Sequence, residues 1–132
     1  IKNQNKMKSE EILHEEVARY IRFLYPKVIF NSDMSGVKLT MFQAKKAAKL
    51  RSSRAFPDLV IYEPVDNYKG LFIELKADGV KVFKKDGSLV ANKHIKEQAE
   101  MIEKLREKGY AAYFACGIDE AIKIIDNYLK IL

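Results

Sequence analysis

Apolar positions change period several times along the chain, and each change marks an element. Between Ser9 and Pro26, Ile12, Leu13, Val17, Tyr20, Ile21 and Leu24 recur at helical spacing and share one face. Ser9 suits an N-cap, acids fill the first turn, where the helix dipole favours them, and Pro26 stops the run. The run KVIF (27–30) predicts a short strand, and NSDMSGVK a loop. Helical spacing returns in LTMFQAKKAAKLRS, where Thr40 and Gln43 stand as a capping box. Two β runs follow, DLVIYE and GLFIELKA, joined by the hairpin-like PVDNYK. VKVFKKDGSLV carries a tight-turn signal at Asp86-Gly87. Asn92 is placed to cap the helix KHIKEQAEMIEKLREK, and Gly109 to end it. YAAYFAC predicts a buried strand and DEAIKIIDNYLKIL a last helix. The expected order is α-β-(α)-β-β-α-β-α, an α/β domain with a mixed central sheet flanked by helices.

Composition narrows the class. The 132 residues are enough for one domain and too few for two typical ones. Residues 1–8, polar throughout most of their length, are expected to form a flexible lead to a single domain over 9–132. The sole cysteine, Cys116, excludes a disulfide framework or a cysteine zinc cluster within the chain and fits a reducing cytoplasm. No apolar run nears the roughly 20 residues of a membrane helix, and no signal-peptide pattern stands out. A net charge of +6 favours polyanionic partners, nucleic acid first; a lysine-rich solvated surface is the plain alternative.

The charges inside the two β runs change the picture most. Strand alternation puts Phe72, Glu74 and Lys76 on one face and Leu71, Ile73 and Leu75 on the other. If the runs pair as a hairpin, Asp58 at the start of one lies beside Glu74 and Lys76 at the end of the other. Two carboxylates suit a hard cation such as Mg²⁺, with the backbone carbonyl of Leu75 as a third oxygen. Such a cation polarises phosphate and acidifies water, and the Lys76 ammonium is suited to orient the attacking water or stabilise developing charge. An ordinary Glu–Lys pair at a strand end is the alternative for Glu74 and Lys76 taken alone.

Pro57-Asp58 followed by Glu74-Leu75-Lys76 resembles the PD-(D/E)XK nuclease signature. With the Ser9-Glu10 helix, RAFPDLVI, GLFIELKA, Gln98 and LREKGYAAYFACGIDEAIKIIDNYL in that order, the chain more narrowly resembles the VRR-NUC branch from about Ser9 to Leu129. The resemblance implies a restriction-endonuclease-like αβββαβ core and Mg²⁺- or Mn²⁺-dependent DNA cleavage. It also implies action on branched DNA such as Holliday junctions or flaps, in repair or recombination, by a homodimer in a bacterial or phage-infected cytoplasm. A non-cutting DNA-binding module of the same fold and an RNA-directed nuclease are the alternatives.

The family places an acid from the first helix near the metal. Glu10 lies closer to the apolar face than Glu16, while Glu11 and Glu15 point away, and Glu10 also matches the Ser-Glu pattern. Gln98 sits within the inward stripe formed by Ile95, Ala99, Ile102 and Leu105, where a polar side chain needs a partner; the resemblance places it beside the lysine or water. His14, one turn after Glu10, either lines the same cleft or sits at the helix edge, and His94 is expected to be exposed. Lys38, Lys45, Lys46, Lys49, Arg51 and Arg54 precede Pro57-Asp58 and are candidates for DNA phosphate contacts, against a solvated lysine face.

Overall fold

The computed structural model describes residues 2–33, 40–52 and 55–130. Its elements are α1 (Lys2–Leu24), β1 (Phe30–Ser32), α2 (Met41–Ala48), β2 (Leu59–Ile61), β3 (Leu71–Lys76), α3 (Lys93–Glu107), β4 (Ala111–Cys116) and α4 (Ile118–Leu129). This is the expected order with several boundaries shifted, two of which change how an element starts.

Helix α1 begins at Lys2, inside the segment set apart as a flexible lead, so Ser9 lies within the helix and is not its N-cap. No Gly or Pro interrupts residues 2–8, and Lys, Gln and Met are good helix formers. The first strand is displaced from 27–30 to Phe30–Ser32. The Val28 amide donates to the Tyr25 carbonyl at 3.0 Å, which spends residues 25–28 on a turn after Pro26. Pairing therefore starts later and runs into Asn31 and Ser32, polar residues that an edge strand tolerates.

The sheet runs β1-β2-β3-β4. β1 pairs antiparallel with β2, β2 antiparallel with β3, and β3 parallel with β4 by way of α3. Leu59 pairs with Ile73 and Ile61 with Leu71, so the hairpin register leads Asp58 toward Glu74. Leu59, Ile61, Leu71, Ile73 and Leu75 bury one sheet face against Leu13, Val17 and Ile21 of α1 and Ala121, Ile125 and Leu129 of α4. Met101, Ile102 and Leu105 of α3 pack with Ala112, Phe72 and Phe114 on the other. Phe72 thus assigns the Glu74/Lys76 face of β3 to the α3 side.

The other two expected N-caps form. Thr40 Oγ1 accepts from the Gln43 amide at 3.1 Å while Gln43 Oε1 accepts from the Thr40 amide at 3.0 Å. Asn92 Oδ1 accepts from the Ile95 amide at 3.1 Å, and Gly109 turns the chain out of α3 with φ +99°. Among the described residues no helix is long and apolar enough to cross a membrane.

Candidate active site

The buried polar or charged side chains among the described residues are His14, Asp58, Glu74, Lys76 and Gln98. They come from α1, the approach to β2, the end of β3, and α3, yet they interact with one another. Buried polar groups need partners, and these find most of theirs in one cluster.

The hairpin creates its centre. Asp58 Oδ2 accepts from the Leu75 amide at 3.2 Å, which fastens the carboxylate across to the neighbouring strand. Glu74 Oε1 receives the Gln98 Nε2–H at 2.6 Å and lies 3.7 Å from the Lys76 ammonium. Its other oxygen, Oε2, is buried with no hydrogen-bond partner, as is Gln98 Oε1. Burial, reinforced by the nearby Asp58 charge and only partly opposed by Lys76, pushes the Glu74 carboxyl up to about 8. One ammonium among two buried carboxylates leaves negative charge that a proton or a cation can neutralise.

A second set of contacts reaches Asp58 from α1. His14 Nδ1 lies 2.6 Å from Ser32 Oγ, and Nε2 lies 3.8 Å from Asp58 Oδ2. The cleft reading of His14 therefore describes its place, since it is buried while Ile12 and Leu24 of the same helix are exposed. Its signal in the sequence is its place one turn after Glu10. Ser32 carried no signal at all: it is a small polar residue ending an edge strand, eighteen positions from its partner.

Glu10 is half-buried one turn before His14, whereas Glu11, Glu15 and Glu16 are exposed, which agrees with the facial ordering of these acids. His94 is exposed as expected, but its Nε2 lies 3.2 Å from Gln98 Nε2 and can accept that amide's second hydrogen. Lys45, Lys46, Lys49 and Arg51 are exposed on and after α2. Lys38 and Arg54 lie outside the described residues. Along the chain α2 lies between Ser32 and Asp58, which both take part in the polar cluster.

Among the described residues no group of three or more His, Cys, Asp or Glu side chains is arranged to hold a metal ion. Asp58 and Glu74 are the carboxylate pair that the hairpin brings together.

No family model and no curated protein matches the chain. A solved structure described as a VRR_NUC domain protein is similar over 93% of this chain and 89% of its own, with a TM-score of 0.66 and 27% sequence identity. The chain has a VRR-NUC-like fold. That likeness supports a nuclease-like domain, and the polar cluster sits where its two antiparallel strands and crossover helix converge.

Proposed function

We propose that this VRR-NUC-like domain is a metal-dependent DNA endonuclease of PD-(D/E)XK type that hydrolyses phosphodiester bonds. The observation that carries the reading is Glu74 Oε2, buried without a partner beside a second carboxylate. A hard divalent cation, Mg²⁺ or Mn²⁺, fits that deficit, with Asp58, Glu74 and the Leu75 carbonyl as ligands and water completing its preferred oxygen shell. When bound it supplies Lewis-acid polarisation of the scissile phosphate and acidifies the attacking water.

The chain's own residues do the rest. Lys76 holds a compact cation beside Glu74, suited to orienting the water and stabilising charge that develops on the phosphate. Gln98 fixes the rotamer of Glu74, the Leu75 amide and His14 fix Asp58, and Ser32 holds His14. Glu10 borders the same cleft from α1. Lys45, Lys46, Lys49 and Arg51 contact DNA phosphates, giving affinity and orientation without sequence choice. Preference for branched DNA and action as a homodimer follow from the family resemblance.

The test is cleavage of duplex, nicked, branched and single-stranded DNA with Mg²⁺ or Mn²⁺. Metal-dependent cutting is expected, reduced by about 100-fold or more in Lys76→Ala and lost in Asp58→Asn. Wild-type rates in either variant would overturn the assigned roles. Salt-sensitive binding without cutting in any metal would identify a non-cutting DNA-binding module, and faster cleavage of matched RNA would reassign the substrate.

A further inference from the structure

Helix α2 buries no residue, yet its surface is not simply polar. Met41 is 80% exposed, Phe42 71% and Leu50, just past the helix, 86%. Between Thr40 and Ser52 stand four Lys or Arg and no Asp or Glu. At about 100° per residue, Met41, Lys45, Lys49, Phe42 and Lys46 share an arc of roughly 140°. Ala47, the half-buried member of the helix, lies opposite that arc, with Ala44 next to it and Ala48 at the arc's border beside Met41. Aromatic and cationic groups are thus interleaved on one outward face, and Lys46 Nζ lies 5.5 Å from the Phe42 ring centroid.

This interleaving decides what the face fits. An apolar seam between two protein copies needs a dry core with charges at its rim. Here the lysines stand inside the apolar arc, and a two-fold contact through α2 would set one cationic helix against another. A polyanion matches the charge. Duplex DNA uses the lysines but leaves the phenyl ring idle, because its bases are stacked on each other. An unpaired nucleotide offers both a phosphate and an open base face, the pairing of basic groove and stacking platform seen in single-strand binding.

We propose that this face of α2 binds an unpaired stretch of DNA, with Lys45, Lys46 and Lys49 taking phosphates and Phe42, flanked by Met41, stacking on a base. The inference rests on the DNA reading above and narrows it to substrates that carry unpaired nucleotides.

The experiment measures binding of the full chain to a single-stranded oligonucleotide, a blunt duplex and a matched RNA strand, in chelator, across a salt series. Met41→Ser combined with Phe42→Ser keeps the charge and removes no buried group, and circular dichroism verifies the fold. That variant is expected to lose about tenfold or more in single-strand affinity, to change duplex affinity by less than about threefold, and to keep the salt slope. Phe42→Trp is expected to preserve single-strand affinity. Lys45→Ala with Lys49→Ala is expected to weaken binding to both DNAs and flatten the salt dependence. Single-strand affinity unchanged in the serine variant, tighter binding of RNA than of DNA, or a wild-type dimer that the serine variant splits into monomers would each overturn the proposal. Because binding is read without metal, a protein that binds this way and never cuts would sink the nuclease reading and leave this one standing.

Discussion

His14 lies at the edge of the inward stripe of α1 and is nonetheless buried. Its ring bridges Ser32 Oγ and the Asp58 carboxylate, and if Asp58 holds a cation as proposed, such a partner sets the ligand's orientation. His14→Ala is therefore expected to weaken Mn²⁺ binding by about 10- to 100-fold, measured by calorimetry without DNA. His14→Gln, which keeps two polar ends on a similar reach, is expected to recover a large part of that loss. Unchanged Mn²⁺ affinity in His14→Ala would remove the histidine from the site. The same residues show what was legible. Asp58, Glu74 and Lys76 were readable because strand alternation fixes faces, and a hairpin joins the start of one strand to the end of the next. His14 was ambiguous because a lone histidine beside a helical stripe reads alike whether it lines a cleft or sits at the helix edge. Ser32 was invisible because only the tertiary fold brings it to α1.

Elements deliver these residues through their ends. Gln98 lies in the second turn of α3, so its aim at Glu74 depends on how that helix starts, and Asn92 sets the start through its bond to the Ile95 amide. Asn92→Ala removes that bond and is expected to cost about 1 kcal/mol, lowering the melting temperature by roughly 2–6 °C. If the helix start also governs Gln98, this variant will lose more activity than its residual stability accounts for, whereas a purely structural cap will change stability alone. The Asn92 cap, the Thr40/Gln43 capping box and the Gly109 turn were all readable, because each is a local interaction with a fixed spacing. The start of α1 and the position of β1 were misplaced for the opposite reason. A good N-cap such as Ser9 does not start a helix when the preceding residues also favour it, and an edge strand takes its register from its neighbour β2 rather than from its own hydrophobicity.

For the whole molecule, the buried carboxylate pair couples folding to pH and, on the function proposed above, to cations. Glu74 ionises near 4.5 when free in solution but at about 8 in the fold, chiefly because burial penalises its charge. The folded state then holds this proton more tightly than the unfolded chain. The stability it contributes is full below pH 4.5 and is lost as pH rises through about 8. In chelator, the wild-type melting temperature is expected to fall over this window relative to Glu74→Gln, which keeps the side chain neutral and its shape nearly the same. A cation bound at Asp58 and Glu74 replaces the proton, so its stabilisation should grow with pH, reaching about 2.7 kcal/mol when its concentration is a hundred times its dissociation constant. Thermal melts of both proteins at pH 5, 6, 7 and 8, with chelator or with Mn²⁺, separate the contributions. Parallel wild-type and Glu74→Gln curves in chelator would show that Glu74 does not carry the buried charge. A wild-type curve that declines in chelator and is lifted by Mn²⁺ most at high pH, beside a Glu74→Gln curve that does neither, would tie the buried charge of the carboxylate pair to the cation that balances it.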